Sequence, residues 1–368
     1  MAEQTCSGIL EMNKKGFGFL RVDLKTLNQN PKDVHVNQDL VRKFNLQQGV
    51  LLTGQTRPDN RGGETLAKID TICGKPAAEY QRSVVAFDRI TSINPDQKIC
   101  FETVPAKTTT RAVDLLCPVG KGQRGLIVAP PRTGKTVLLQ DMANGVAKNH
   151  PDMKLMVLLV DERPEEVTDM RRSIAGNVYA STSDYDYVSH IRLANLVIDV
   201  CKRMVEVGDD VILFMDSITR LGRAFNQNTA SSGKTLSGGI DSNALAQPKK
   251  IFGSARCAEE GGSLTIIATA LIDTGSRMDE YIFQEFKGTG NMELVLDRKM
   301  ADRRIYPALD IMQSGTRKEE LLMSEAELKK IIELRRQFSR VDPTSAMEML
   351  LKIFSAHPTN KEIINKDL

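Results

Sequence analysis

The stretch Ala-Pro-Pro-Arg-Thr-Gly-Lys-Thr at residues 129–136 has the residue types of a phosphate-binding loop. An apolar run precedes it, and its prolines and glycine favour a turn whose backbone N–H groups can point at phosphate oxygens. Lys135 would contact the β- and γ-phosphates, and the hydroxyl of Thr136 would bind Mg²⁺. Because Ala129 replaces the first glycine of the usual pattern, this interpretation needs support from other residues.

Two acidic positions give that support. The apolar runs 154–160 and 211–215 are short enough for buried parallel strands, and they lead directly to Glu162 and Asp216. Ligands of open α/β sheets bind beyond the carboxyl ends of the strands. Asp216 suits the outer sphere of Mg²⁺, and Glu162 suits the positioning and deprotonation of a water molecule. Either carboxylate alone could be a helix cap, but together with Lys135 they predict ATP hydrolysis. Glu162 comes one strand after the phosphate loop, which is the order of these motifs in RecA-like motors.

A second chemical feature lies near the amino terminus, in Lys-Lys-Gly-Phe-Gly-Phe-Leu-Arg at residues 14–21. Alternate residues of a strand share a face, so Phe17 and Phe19 would lie about 7 Å apart on one side. That spacing suits the stacking of successive bases, with Lys15 and Arg21 available for phosphates. The alternative is that both rings face a hydrophobic core. The glycines and the flanking charges favour stacking.

Composition excludes several classes of function. The 368 residues include 26% charged residues, as in ordinary globular proteins. A net charge of +3 means that any affinity for nucleic acid must come from local basic groups. The sequence shows no leader pattern and no apolar run that could span a bilayer, so we expect a cytoplasmic protein with no membrane partner. The six cysteines are scattered without C-x-x-C spacing, which argues against a metal centre or a disulfide framework.

The elements that would position these residues fall into three segments. Residues 4–75 contain short alternating stretches separated by turn signals, which predicts a small all-β barrel of the OB or cold-shock type. Residues 76–110 lack strong periodicity, and we expect a connector packed on one or both domains. Strand and helix patterns alternate over residues 111–368, which predicts a RecA-like α/β P-loop ATPase domain. The expected elements there are strands at 125–129, 154–160, near 178, 211–215 and 264–270, and helices at 135–148, 165–175 and 187–207.

Longer motifs extend over nearly the whole chain. They are Gly-Phe-Gly-Phe-Leu-Arg at 16–21, the phosphate loop, Val-Asp-Glu-Arg-Pro-Glu-Glu-Val at 160–167, Met-Asp-Ser-Ile-Thr-Arg-Leu at 215–221, the segment 261–275, Glu-Phe-Lys-Gly-Thr-Gly-Asn-Met-Glu at 285–293 and Ser-Gly-Thr-Arg-Lys-Glu-Glu-Leu at 314–321. In this order they resemble the family of bacterial transcription termination factor Rho. The resemblance implies a ring-shaped homohexamer that binds single-stranded RNA, hydrolyses ATP between subunits, translocates 5′ to 3′ and releases RNA from the RNA polymerase elongation complex.

The resemblance also implies roles for residues of the nucleotide site. Lys135 and Thr136 resemble the groups that hold phosphate and Mg²⁺, Glu162 resembles the catalytic base, and Asp216 resembles the carboxylate near the metal. The other nucleotide contacts that it implies are Pro131, Arg132, Thr133, Gly134 and Val137.

Three further residues of the nucleotide site are identified through the same resemblance. Arg317 resembles an arginine finger that a neighbouring subunit supplies, and Arg163 resembles a second arginine near the γ-phosphate. Without the family match, Arg317 would be read as a solvated residue of a charged run. Tyr306 resembles the aromatic residue against which adenine stacks, although a tyrosine before a proline is more often part of a core.

The resemblance implies RNA contacts in the amino-terminal barrel and in the ATPase domain. Lys234 and Thr235 belong to a glycine- and serine-rich loop that resembles the first RNA-gripping loop of a central channel, and Arg277 belongs to a segment that resembles the second. His35 stands where the family usually has tyrosine. We therefore expect RNA binding without a strict preference for cytosine.

Two other classes of protein remain open at this stage. A rotary or secretion ATPase of the F1 type would share the sheet, the glutamate and the arginine, but it offers no reason for Phe17 and Phe19. An RNA-binding regulator with an inactive nucleotide site would not need Lys135, Glu162 and Asp216 to be intact. Hydrolysis of ATP with and without RNA discriminates among the three.

Overall fold

The computed structural model describes residues 4–59, 62–229 and 236–366. Its amino-terminal part comprises β1 (Gln4–Met12), β2 (Gly18–Arg21), β3 (Val34–Val36), α1 (Gln38–Phe44), β4 (Leu51–Pro58), β5 (Glu64–Ile72) and β6 (Lys75–Pro76). The strands form one sheet in the order β3-β2-β1-β4-β5-β6, and a pairing of β3 with β5 closes it into a barrel. Inward side chains such as Leu10, Leu20 and Leu52 fill the interior. The predicted small all-β barrel is confirmed.

The segment after the barrel packs on both halves of the molecule. It forms α2 (Ala77–Ser83), a 3₁₀ turn (Phe87–Arg89), β7 (Ser92–Ile93), β8 (Lys98–Ile99) and α3 (Thr108–Leu116). Ala77 belongs to the barrel core, whereas Phe87 and Ile90 are buried in a core of the following domain. The segment therefore fixes the barrel to that domain.

The carboxyl-terminal part is an α/β domain. Its strands are β9 (Val119–Gly120), β10 (Arg124–Ala129), β11 (Lys154–Glu162), β12 (Asn177–Thr182), β13 (Asp210–Asp216), β14 (Arg256–Ala258), β15 (Ser263–Leu271), β16 (Met292–Val295) and β17 (Gly315–Thr316). Its helices are α4 (Lys135–Asn149), α5 (Pro164–Ser173), α6 (Tyr187–Glu206), α7 (Ile218–Asn228), α8 (Ala246–Phe252), α9 (Arg277–Lys287), α10 (Arg298–Asp302), α11 (Glu325–Phe338), α12 (Pro343–Ala356) and α13 (Asn360–Asn365). Short 3₁₀ turns lie at Ser237–Gly239 and Glu319–Leu321.

The main sheet follows the order β12-β11-β13-β15-β10-β16-β17, and its central strands are parallel. Successive side chains of β11 enter different cores: Val157 and Leu159 lie on one face of the sheet, and Leu158 and Val160 lie on the other. Helices cover both faces, which explains why the strands read as continuous apolar runs. The predicted RecA-like α/β architecture is confirmed. No helix in the described part of the chain combines the length and apolarity needed to cross a membrane.

One strand is longer than the sequence suggested. We expected a strand at 154–160, but β11 continues through Glu162. The pairing with β12 is irregular between Val160 and Glu162, and Asp161 adopts a positive φ of 56° at that point. This bulge turns the side chain of Glu162 inward, where it is 3% exposed.

Arg111 attaches the carboxyl-terminal helices to α3. Its guanidinium is completely buried and donates hydrogen bonds to the backbone oxygens of Phe354 at 3.1 Å and His357 at 2.5 Å. The same group lies 4.3 Å from the centre of the Phe354 ring. α12 and α13 are therefore held against the domain that contains the phosphate loop.

Candidate nucleotide site and RNA-binding surface

The phosphate loop connects β10 to α4 and has the geometry of an anion site. The Thr133 hydroxyl donates to the Pro130 carbonyl at 2.8 Å, which closes the turn. Gly134 is the N-cap of α4 and has a φ of 85°, a conformation that glycine adopts at little cost. Since glycine brings no capping side chain, the N–H groups of the first helical turn remain available for phosphate. The loop fits the triphosphate of a nucleotide.

Lys135 and Asp216 meet beyond the carboxyl ends of β10 and β13. The Lys135 Nζ lies 2.5 Å from Asp216 Oδ1 and 3.8 Å from Glu162 Oε1. The Thr269 hydroxyl donates to the same Asp216 oxygen at 2.7 Å and orients the carboxylate. An oriented carboxylate is the oxygen-donor chemistry that Mg²⁺ prefers, and the hydroxyl of Thr136, the residue after Lys135, is of the same kind.

Glu162 is buried beside groups of both signs. Burial and the Asp216 carboxylate raise the pKa of Glu162 from its ordinary value of 4.5 to about 7, and the charges of Lys135 and Arg220 oppose that rise. The Arg220 Nε lies 3.4 Å from Glu162 Oε1, and the same guanidinium donates to the backbone oxygen of Asp161. Glu162 is therefore held in place and titrates near neutrality, as a general base requires.

A cavity of about 310 Å³ lies beside the loop. Tyr306 and Val137 contribute its exposed apolar walls, with 42% and 56% of their surface accessible. A ring carbon of Tyr306 would lie only 3.4 Å from a β-carbon placed on Gly134. The aromatic ring thus lies over the loop, where an adenine base can stack while the phosphates occupy the turn.

The two arginines expected near the γ-phosphate lie in different places. Arg163 directly follows Glu162, is exposed, and is 3.9 Å from Glu166. Arg317 is exposed, and its backbone N–H donates to the Asn291 oxygen at 2.8 Å, beside Arg124 at the start of β10. Since β10 must run about 16 Å from Arg124 to the phosphate loop, Arg317 lies at the opposite end of the sheet from Lys135 in the same chain.

The barrel presents an aromatic cluster of Phe17, Phe19 and His35. Phe17 precedes β2, and Phe19 pairs with His35 of the neighbouring strand β3. The two phenyl centroids are 5.8 Å apart, and the imidazole lies 5.3 Å from Phe17 and 5.6 Å from Phe19. All three side chains are partly exposed, so they do not belong to the barrel core. Bases of a single strand could stack here.

The two basic residues next to this cluster differ. Lys15 is exposed in the turn before β2, where a phosphate could reach it. Arg21 is only 6% exposed, and its guanidinium donates to Glu11 at 2.6 Å and to Asp33 at 2.5 Å. Arg21 is thus less available to a phosphate than Lys15, and its contact with RNA stays a prediction. Its charge is already neutralised by two carboxylates inside the barrel wall.

The expected channel loops approach each other at α9. Lys234 and Thr235 lie outside the described residues. Gly238 lies in the described end of that loop, which spans residues 230–239, and a β-carbon on it would lie 2.8 Å from the backbone of Arg277. Arg277 is the first residue of α9 and is exposed. The described end of the first loop thus packs directly on the second.

Sequence reasoning gave no role to Arg220 or Thr269, although both touch the carboxylates of the site. Thr269 carries a hydroxyl within the buried segment 266–270 of β15, whose other four residues are apolar, and that was a usable signal. The sequence signal for Arg220 was weaker: it stands four residues after Asp216, about one helical turn.

Two protein-family models match different parts of the chain. The ATP synthase alpha/beta family nucleotide-binding domain matches residues 109–316, which include the phosphate loop, Glu162 and Asp216. The Rho termination factor RNA-binding domain matches residues 6–78, which include the aromatic cluster.

Curated relatives match almost the full chain. Transcription termination factor Rho of Cereibacter sphaeroides is 50% identical over 363 residues, covering 97% of this chain and 86% of that protein. The same-named protein of Haemophilus influenzae is 50% identical over 360 residues, covering 96% and 86%. That of Borreliella burgdorferi is 49% identical over 357 residues, covering 96% and 69%.

Solved structures share the fold. An ATPase of the type III secretion system of pathogenic bacteria superposes with a TM-score of 0.60 at 25% identity, covering 68% of this chain and 71% of that one. The ATP synthase subunit NeqB from Nanoarcheaum equitans gives a TM-score of 0.56 at 17% identity, covering 73% and 67%.

Proposed function

This chain belongs to the transcription termination factor Rho family, and from that premise we propose that it is an RNA-dependent ATPase. In this proposal it translocates 5′ to 3′ on nascent RNA as a homohexamer and releases the transcript from the RNA polymerase elongation complex. One observation carries the proposal: a single chain combines the assembled Lys135, Glu162 and Asp216 site with a partly exposed aromatic cluster on a separate barrel.

The hydrolytic step is assigned to Glu162. A carboxylate with a pKa of about 7 is largely ionised at slightly alkaline pH, and it can accept a proton from water. Bound ATP and Mg²⁺ supply the phosphoryl group and the charge that neutralises it. Lys135 and Thr136 would hold the phosphates and the ion, and Asp216 would orient the ion's ligands. Tyr306 and Val137 would hold the adenine.

Completion of the site is assigned to a neighbouring subunit. Arg317 lies at the other end of the sheet from Lys135, which supports a role in trans. A guanidinium from the next chain would add positive charge only at an assembled interface. Arg163 lies exposed beside Glu162 and would act within its own chain.

RNA would be held at two places with different physics. The aromatic cluster would bind bases by stacking, with Lys15 near the phosphates. Lys234, Thr235 and Arg277 would contact the backbone in the ring channel, and the close packing of Gly238 on Arg277 supports a joint movement of the two loops.

The test is ATP hydrolysis with and without single-stranded RNA, together with a mass measurement of the assembly. We expect hydrolysis that RNA stimulates and a mass of a hexamer. Hydrolysis that RNA leaves unchanged would indicate an ATPase of the secretion type, whose fold this domain shares. RNA binding without any hydrolysis would indicate a regulator with an inactive nucleotide site.

A further inference from the structure

Glu11 connects the RNA-binding strand to helix α6 of the ATPase domain. It lies in β1 directly opposite Phe19 of β2. The guanidinium of Arg192, a residue of α6, donates two hydrogen bonds to the Glu11 carboxylate, with Nε 2.7 Å from Oε1 and Nη2 2.5 Å from Oε2. Arg192 Nη2 also donates to the backbone oxygen of Leu27 at 2.8 Å. We call the paired side chains of Glu11 and Arg192 the Glu11–Arg192 bridge.

The bridge is stiff on its barrel side. Arg21 Nε donates to the same Glu11 carboxylate at 2.6 Å, and the Arg21 guanidinium lies 5.7 Å from the centre of the Phe19 ring. Burial by itself raises the pKa of Glu11, but the hydrogen bonds and charges of Arg192 and Arg21 lower it overall. Glu11 is therefore ionised at neutral pH, and its bidentate pair with Arg192 fixes distance and angle together.

The opposite side of the same helical turn faces the nucleotide site. His190 lies two residues before Arg192, so it projects about 200° away around α6. Its Nδ1 is 2.7 Å from the Ser181 hydroxyl, and its Nε2 is 3.9 Å from Asp161 Oδ1. Asp161 immediately precedes Glu162. The first two turns of α6 are thus held between the barrel and the strand end that carries Glu162.

We propose that the Glu11–Arg192 bridge transmits RNA binding at Phe19 to Glu162, with Arg192 as a positioning residue. This inference rests on the proposed function. A base stacked on Phe19 shifts the β1–β2 pair, and the bridge carries that shift to the first two turns of α6. His190 then moves with Asp161, which changes the placement of Glu162 relative to Lys135. RNA and catalysis are coupled because the two ends of this contact series favour the same arrangement.

The test compares Arg192→Gln, Arg192→Lys, Glu11→Gln and the Arg192→Gln/Glu11→Gln double variant. We expect Arg192→Gln to reduce the RNA-induced increase in kcat by roughly five-fold or more. RNA affinity, the KM for ATP and hydrolysis without RNA should stay within about two-fold, because the bridge touches neither ligand. Arg192→Lys should restore part of the increase. The double variant should be no worse than either single one, since both break the same pair.

Gln48→Ala is the matched control. Gln48 Nε2 donates to Asp199 Oδ2 at 2.8 Å, a second contact between the barrel and α6 that lies far along the helix from His190. We expect this variant to keep the full response to RNA. A thermal unfolding scan of each variant verifies that the assembly is intact.

The outcomes separate the bridge from the proposed function. Full RNA stimulation in Arg192→Gln, or an equal loss in Gln48→Ala, would overturn the bridge while the proposed function stands. If RNA does not stimulate hydrolysis by the unchanged protein, the proposed function is overturned and the bridge with it.

Discussion

At the scale of the residue, Glu162 owes its chemistry to its surroundings. The bulge in β11 turns the Glu162 side chain inward, and the residue is only 3% exposed. Burial and the neighbouring Asp216 carboxylate both disfavour its negative charge. Arg220 and Lys135 partly offset that effect and fix the side chain. A surface glutamate would be ionised throughout the neutral range, whereas Glu162 changes its charge within it.

We expect ATP hydrolysis to depend on pH through Glu162. The folded pKa is raised to about 7, so the carboxyl is protonated and inactive as a base at lower pH. RNA-stimulated kcat/KM should therefore rise as pH increases through about 7 and level off above it. Glu162→Gln should retain ATP binding and assembly, lose roughly two to four orders of magnitude in turnover and lose the inflection as well.

Glu165→Gln is the control for this profile, because Glu165 is an exposed carboxylate of the adjacent helix α5. It should keep both the rate and the inflection. Near-normal turnover in Glu162→Gln would mean that another carboxylate serves as the base.

At the scale of the element, the loop before β2 and the strand itself carry the two phenyl rings of the aromatic cluster. Changing Phe17 and Phe19 to alanine should weaken RNA binding by roughly 1–3 kcal/mol per stacked base and leave nucleotide binding intact. The slope of log affinity against log salt concentration should stay unchanged, because the phosphate contacts that set it are retained. Fluorescence anisotropy over a salt series measures both effects.

Phe44→Ala provides the comparison, since Phe44 is a partly buried phenylalanine of α1 outside the aromatic cluster. It should leave RNA affinity unchanged. If the Phe17→Ala/Phe19→Ala variant binds RNA as tightly as the unchanged protein, the loading surface lies elsewhere on the barrel.

The sequence pattern predicted where strands and helices lie far better than which side chains contact one another. The phosphate loop and the positions of Glu162 and Asp216 follow from apolar runs and from the rule that parallel strands end at one edge. The burial of Arg21 did not follow, because a basic residue beside aromatics looks the same whether it faces phosphate or carboxylates. The contacts of Arg192 and Arg111 could not be predicted for a related reason. Their partners are distant in sequence, and periodicity reports which face a residue occupies but not what meets it.

At the scale of the whole molecule, the position of Arg317 predicts how two inactive variants behave together. Arg317→Ala leaves the phosphate loop intact, and Lys135→Ala leaves the finger intact. In an equal mixture with free subunit exchange, about a quarter of the interfaces should combine both intact sides. Hydrolysis should then exceed that of either variant alone.

A mixture of Lys135→Ala with Glu162→Gln is the control, since both changes damage the same side of the interface. It should show no recovery. Complementation in the control, or none in the Arg317 mixture despite proven exchange, would contradict a finger that acts in trans.

With Arg317 as a finger that acts in trans, the placement of Lys135 and Arg317 at opposite ends of one sheet implies a stoichiometry. In the proposed assembly each chain would contribute the front of one site and the back of another. A row of chains leaves an unmatched half at each end, so it has one complete site fewer than it has chains, and closing the row makes the two numbers equal. The count of ligands that need both halves is therefore a direct measure of ring closure, about five per six chains when a gap is present and about six when it is sealed.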